Sequence, residues 1–440
     1  MRTTTALFIL TLLHVIIPCT FAQTLSNSVL NLVRTRMNQS STARCAVYPP
    51  ILSVSLTPLP HSSSWEAGTA AETVLELDFP QLSVFSSSYL SPFPPYSVAD
   101  LQPILSIATD AVTQRSSSQL WGQDGSAGDP ASLGVSVLLG NWTNAGNVDW
   151  VGAAEQQLNL LLTGTARATY GPAAGAISHR VGYVQLWSDF VYMVPPFLAY
   201  YGAITGNTSL IQDAYTQISL YRSALYSKDA SLWRHVYCPD DTNFNDTGHW
   251  STGNGWAAAG MLRVLATMKN SPYSSQFKDE QSDLSDWIAD IHNGMTNNIP
   301  SSGIFFNYVD QQTTNSSSFP DASGTALFAA TVYRHITLAD PSDYEKIVGA
   351  AEKARQALYA NGGGTHFDGN GWLMPVVNPD AFSTAGSESP EAQSFVLQMD
   401  NNWKAWTSAG SKDSAAGRRL AAVSVSAVGF VASVLMALLL

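Results

Sequence analysis

The recurrence of apolar residues at helical spacing constrains this chain more than any other feature. Phe190, Val191, Val194, Phe197, Leu198 and Tyr201 fall on one helical face, and 211–225 continues the period beyond the Gly206-Asn207 turn. Each apolar face must be buried against another element, so the two stretches read as one helical hairpin. The same pairing is drawn for 65–77 with 98–113, 133–139 with 148–162, 256–268 with 284–295, and 325–338 with 344–359, and 390–406 closes the series. Five pairs and a closing helix predict an all-α fold, an (α/α)₆ toroid in which inner and outer helices alternate and a pocket opens at one end of the ring. One outer helix is missing from that count. Pro195 and Pro196 interrupt the hairpin that contains them, because each removes a backbone donor and crowds a preceding carbonyl. A helix must kink or start there.

Composition supports a large folded core. Hydrophobic residues make up 45% of the 440 and charged residues only 12%, about half the roughly 25% usual in soluble domains. The net charge of −12, with no run of Lys and Arg, excludes a nucleic-acid partner, since phosphate binding needs clustered cations. No His, Cys or carboxylate cluster has metal-ligand spacing, so no metal or other cofactor is expected.

Both ends read as processing signals. Arg2 precedes an apolar stretch from Ala6 to Ile17, and Thr20-Phe21-Ala22 supplies small residues for cleavage, so 1–22 is expected to be a secretory signal peptide. At the other end Ser408-Ala409-Gly410, a polar spacer and an apolar stretch running to Leu440 have the layout of a GPI-attachment signal, with Ser408 as the attachment residue; a plain C-terminal membrane span is the alternative. The chain thus divides into a signal peptide (1–22), an N-terminal arm (23–64), the helical domain (65–407) and a terminal signal (408–440). Removing the ends makes the mature protein more acidic, because Arg2, Lys412, Arg418 and Arg419 leave with only Asp413. A membrane contact through a lipid at the cell surface is the expectation.

Secretion agrees with five Asn-X-Ser/Thr sequons, at Asn38, Asn141, Asn207, Asn245 and Asn315. It also bears on the cysteines. Cys19 leaves with the signal peptide, and in an oxidising compartment Cys45 and Cys238 most simply form one disulfide; two buried thiols are the other possibility.

Three stretches carry chemistry: Gly175-Ala-Ile-Ser-His179-Arg180, then Gln185-Leu-Trp187-Ser-Asp189-Phe-Val-Tyr192-Met193, and Trp250-Ser-Thr252-Gly253-Asn254-Gly255-Trp256. Asp189 by itself reads equally as a helix-start carboxylate, Asp129 before Pro130 as a cap, and Gly253-Asn254-Gly255 as a turn. Three Trp near one Asp favour a carbohydrate site, where aromatic faces stack on sugar rings.

These segments, with Asp321-Ala-Ser-Gly-Thr325 and Ser389-Pro-Glu-Ala-Gln393, closely resemble the unsaturated glucuronyl and rhamnogalacturonyl hydrolases, the six-hairpin glycosidases of glycoside hydrolase families 88 and 105. The resemblance implies an oligosaccharide substrate and acid-catalysed hydration of the C4=C5 enol ether left by polysaccharide lyases. It assigns Asp189 as the catalytic acid and base, expected to be protonated at rest, and Asp129, sixty residues earlier, as the second catalytic Asp. It places His179, Arg180, Gln185, Trp187, Tyr192, His249, Trp250, Thr252, Asn254 and Trp256 in the sugar pocket. Thr252 departs from the family, whose members commonly carry Arg at that place. Either Arg180 or His179 takes over the uronate, or the substrate lacks that charge.

Two other readings remain open. A cell-wall α-mannanase or transglycosidase of the same fold would suit a surface anchor, but retaining hydrolysis needs two carboxylates about 5–5.5 Å apart, and the only Asp-Asp is Asp240-Asp241. A non-catalytic wall-glycan-binding protein would make Asp189 dispensable.

Overall fold

A computed structural model of the chain describes residues 23–38, 63–91, 96–122, 125–313 and 318–409. Its helices pair in sequence order: Ser64–Asp78 with Gln102–Gln114, Gly134–Trp142 with Trp150–Asn159, Pro195–Thr205 with Thr208–Leu225, Ser251–Asn270 with Lys278–Asn297, and Ala322–Ala339 with Glu345–Tyr359. The first members of the pairs pack on one another around a ring that Pro390–Ser408 closes by packing on both Ala322–Ala339 and Ser64–Asp78. This is the (α/α)₆ toroid expected.

The two rings differ in burial as their positions require. Every residue from Ser251 to Met268 is buried, so that helix is surrounded on all sides. Its outer partner Lys278–Asn297 instead buries one stripe, including Leu284, Ile288, Ile291 and Met295, the i, i+4, i+7, i+11 spacing of an amphipathic helix.

The missing outer helix is Asn27–Met37, which packs on Pro390–Ser408 and is tied by an Arg34–Asp78 ion pair to the end of Ser64–Asp78. The expected N-terminal arm is therefore part of the toroid at its start. Only Val33 and Met37 are buried in this helix, too short a stripe for periodicity to reveal, and its partner lies at the far end of the chain.

The proline pair behaves as its chemistry dictates. Phe190–Met193 forms one turn, ending with Val194 N–H donating to Phe190 O at 3.0 Å. A new helix starts with Pro195 in its first turn, where a missing N–H costs no hydrogen bond.

Short antiparallel strands lie in the connections. Leu186–Trp187 pairs with Val236–Tyr237, and Val376–Asn378 with Ala381–Gly386. Among the described residues no helix is long and apolar enough to cross a membrane; the expected signal peptide and the tail from 410 lie outside the described residues. Asn38, Asn141 and Asn207 are exposed, Asn245 is half-buried, and Asn315 lies outside the described residues.

Candidate active site

One cavity of about 610 Å³ opens at the beginnings of the inner helices. Trp65, Asp129, Asp189, Thr252, Ser323 and Glu391 line it, each at or beside the first turn of a different inner element. Six helix starts point partial positive charge inward, which offsets part of the cost of gathering carboxylates there.

Asp189 stands at the start of Phe190–Met193, where Ser188 Oγ donates to its Oδ2 at 3.1 Å. The short strand pair explains what lies next to it. Trp187 is in register with Val236, and Ser188 N–H donates to His235 O at 2.9 Å, so His235 is carried alongside Asp189 across 46 residues of chain. His235 Nε2 lies 3.5 Å from Asp189 Oδ2, an ion-pair distance without hydrogen-bond geometry. Its Nδ1 lies 3.0 Å from Asp246 Oδ2. A second local pairing brings that carboxylate in, since the Val236 and Asp246 backbones exchange hydrogen bonds of 2.9 and 3.1 Å. Tyr308 Oη donates to Asp246 Oδ2 at 2.8 Å and Gly248 N–H to Oδ1 at 2.9 Å. The imidazole therefore bridges two carboxylates, one fixed by other donors and one facing the cavity.

Electrostatics follow from this bridge. Burial opposes a charge on His235, but Asp189 and Asp246 outweigh it and raise its pKa above the ordinary 6.5. Burial would raise Asp189; the neighbouring His235, with a smaller part from His179, brings it instead below the ordinary carboxylate value. Both directions favour an Asp189 carboxylate beside a charged His235. That direction runs against the expectation that Asp189 is protonated at rest, which reckoned with burial without the histidine that the fold supplies.

Asp129 is held from the opposite side. Ser126 Oγ accepts from Asp129 N–H at 2.9 Å, and Asp129 Oδ1 lies 3.3 Å from His179 Nε2. His179 is neutral, pushed down to about 3 by burial, with Asp189 opposing and Arg180 and His235 assisting. Its ring stacks on Trp187 with centroids 5.3 Å apart. Gln185 Oε1 accepts from Trp187 Nε1 at 2.8 Å and fixes the indole. Gly128 leaves room for His179, because a Cβ there would come within 2.8 Å of Nδ1.

Asp129, His179, Arg180, Gln185, Trp187, Asp189, Trp250, Thr252 and Trp256 all line the cavity, as expected. Three predicted pocket residues do not. Tyr192 is turned into the ring, against the Trp256 indole at 4.3 Å and the Arg263 guanidinium at 4.6 Å. His249 lies off the wall and pairs with Asp310 at 2.7 Å. Asn254 is a buried structural amide: it accepts from Trp233 N–H at 2.8 Å and donates to Trp233 O and Trp250 O, both at 2.9 Å. It locks the strand leading to His235 onto the inner helix. Gly253 lies inside that helix rather than in a turn, and a Cβ there would meet Ser188 Oγ at 2.5 Å.

Thr252 reaches the wall, but its hydroxyl donates to Asp321 Oδ2 at 2.9 Å. Asp321 also caps Ala322–Ala339 through Ser323 and Gly324 N–H, so it serves as a structural acceptor. Arg180 is the sole Lys or Arg among the described residues of the wall, with its guanidinium 5.9 Å from the Trp187 ring centre. Sequence reasoning missed His235, Asp246 and Tyr308, which sit in no recognisable motif. The clue available was only a histidine between two Trp-rich segments. Among the described residues, no group of three His, Cys, Asp or Glu side chains could hold a metal ion.

The model of glycosyl hydrolase family 88 matches residues 113–384. Solved structures share the fold over most of the chain. A possible member of the GH105 family from Klebsiella pneumoniae has a TM-score of 0.64 at 14% identity, covering 86% of this chain and 92% of that one. A family 105 glycoside hydrolase from C. acetobutylicum gives 0.61 at 13%, covering 86% and 99%. The unsaturated glucuronyl hydrolase from Bacillus sp. GL1, responsible for the degradation of glycosaminoglycan, gives 0.52 at 16%, covering 84% and 94%. Among curated proteins none matches in sequence.

Proposed function

Because the chain belongs to glycosyl hydrolase family 88 and is a glycoside hydrolase, we propose that it hydrates the C4=C5 double bond of unsaturated uronyl oligosaccharides, with Asp189 as the acid and base. The observation that carries this reading is the bridge Asp246···His235···Asp189 at the cavity wall. In the resting site the proton is held on His235. A bound uronate adds negative charge and excludes water, both of which favour protonated Asp189, so the proton passes from Nε2 to Oδ2. Asp189 then protonates C4, leaving an oxocarbenium ion at C5 stabilised by the ring oxygen. Water adds at C5 and returns its proton to Asp189. The hemiketal opens by breaking the C5–ring oxygen bond, and the hemiacetal left at C1 releases the next sugar.

Arg180 supplies the guanidinium for the substrate carboxylate that the family's missing arginine would have given. A guanidinium suits that task, and His179 is neutral. Asp129, beside His179, orients the sugar hydroxyls. The mannanase alternative loses its acid pair: Asp240 accepts from Tyr170 Oη and Asp241 caps a surface turn, and neither lines the cavity. The test is assay on lyase-generated unsaturated disaccharides, following loss of the double-bond absorbance. No loss with any of them defeats the reading.

The same reading places the enzyme outside the cell, held at its surface by a lipid on Ser408, the exposed last residue of the closing helix. Release from membranes by a phosphatidylinositol-specific phospholipase tests this; retention after verified digestion favours a membrane span. Cys238 carries a free thiol in the structure, its Sγ donating to Phe244 O at 3.6 Å, and its proposed partner Cys45 lies outside the described residues. Thiol labelling of the unfolded, unreduced protein should find neither cysteine reactive if they are bonded.

A further inference from the structure

Two exposed aromatic rings stand at the cavity mouth and take no part in the chemistry above. Tyr183 is 52% exposed and Phe244 53%. They come from separate segments, the loop after Arg180 and the turn Thr242–Phe244, yet their ring centres lie 5.8 Å apart at 43°. Of the large hydrophobic side chains left exposed on the described surface, these two are the ones that border the cavity. Leaving two rings in water where they meet fits a ring-sized apolar ligand face. The surroundings are acidic: Asp240 and Asp241 precede Phe244, and Asp380 lies on the same wall. No lysine or arginine other than Arg180 lines the cavity among the described residues.

Resting on the function proposed above, we infer that Tyr183 and Phe244 form the platform for the sugar next to the unsaturated uronate, and that this sugar is neutral. The C–H face of a pyranose stacks on the rings while the uronate lies deeper, against Arg180 and Asp189. A sulfate or carboxylate on that second sugar would meet Asp380 and the acidic turn before Phe244 and, among the described residues of the wall, no lysine or arginine besides Arg180, which the uronate occupies; like charges brought together at an interface discriminate against a ligand.

The test compares two probes on the full-length mature protein: an unsaturated disaccharide with a neutral second sugar, and the methyl glycoside of the unsaturated uronic acid. Tyr183→Ala and Phe244→Ala should each lower the ratio of kcat/KM for the disaccharide to that for the methyl glycoside by roughly 3- to 10-fold, the worth of one aromatic contact. An unchanged ratio in both variants, with unaltered melting temperatures, overturns the platform. A disaccharide sulfated on its second sugar should react roughly tenfold or more slowly than its unsulfated twin, and equal turnover overturns the neutral assignment. If the wild type cleaves neither probe, the reading of the site fails instead. Calorimetric titration with neutral saturated oligosaccharides then tests the platform by itself, since weaker binding by Tyr183→Ala upholds it and equal binding removes it.

Discussion

The ring buries carboxylates at two levels, and they are buried for opposite purposes. At the beginnings of the inner helices Asp189 faces a cavity of about 610 Å³ and is paired with a histidine. Further along the same helices Glu72 and Glu76 meet Arg263 and Arg334 around a void of about 10 Å³. Arg263 Nε lies 3.7 Å from Glu72, its Nη2 pairs with Glu76, and Arg334 reaches Glu76 at 3.2 Å. Guanidinium groups keep their charge at any working pH, so the arginine partners have no proton to give, and the one carboxyl here that titrates near neutrality, Glu72, faces no reactant. A histidine partner gains and loses a proton near neutrality, and only the first cluster has room for a reactant. Burial of a carboxylate therefore says little about catalysis until its partner and its access to a ligand are known.

The largest effect should come from Asp189→Asn. It removes the transferable proton and keeps the shape, so turnover should fall by roughly 10²–10⁴-fold with little change in melting temperature. Full activity in this variant on every unsaturated uronide cleaved by the wild type would sink the mechanism. Arg263→Ala should do the reverse. Stripping one partner from a buried ion cluster costs about 3–5 kcal/mol, read by thermal or urea unfolding, while kcat of the folded fraction stays close to that of the wild type. A large loss of kcat without loss of stability would erase the distinction between the two clusters.

Arg180→Ala sharpens the catalytic side. Losing a charge-assisted pair to the uronate should raise KM by roughly 10- to 100-fold with kcat less affected; an unchanged KM would remove Arg180 from recognition.

Proton linkage gives the smallest effects and the clearest contrast in sign. Glu72 is raised from 4.5 to about 7 by burial, against the pull of Arg263. Its neutral form favours the fold, so its contribution is full at low pH and is lost as pH rises through about 7. Glu72→Gln should flatten that decline in unfolding measurements. Asp189 is lowered, so its contribution is present above 3.8 and lost as pH falls through its folded value, whereas that of raised His235 is full below 6.5 and lost as pH rises through its own. Activity should therefore fall on the alkaline side as His235 loses its proton. Asp246→Asn removes one of the charges that hold that proton and should move the alkaline limb of the pH–rate profile to lower pH; a limb that stays put would detach Asp246 from the relay.

Much of this architecture was legible in the sequence because helix pairs write their burial locally. The hairpins centred on Ser251–Asn270 and Ala322–Ala339 show it, as does the restart at Pro195, since a missing N–H is a local fact. Asn27–Met37 escaped because two buried residues make no period and its partner is Pro390–Ser408. Within the site the motif-borne residues Asp189, Trp187, Trp250 and Trp256 line the cavity. Tyr192 and Asn254 do not, because adjacent positions on a helix face different ways, and one step along the chain separates a cavity wall from the core.

The sequence by itself determined the helical toroid, the family resemblance and the candidate acid, because periodicity, proline chemistry and motif spacing act over short stretches of chain. Only the tertiary structure decided in which direction the pKa of Asp189 is pushed. That depends on His235 and Asp246, brought beside it by a two-residue strand pair and a few backbone hydrogen bonds. A pKa is set by the groups within a few ångströms, and which groups those are is a property of the fold rather than of any segment.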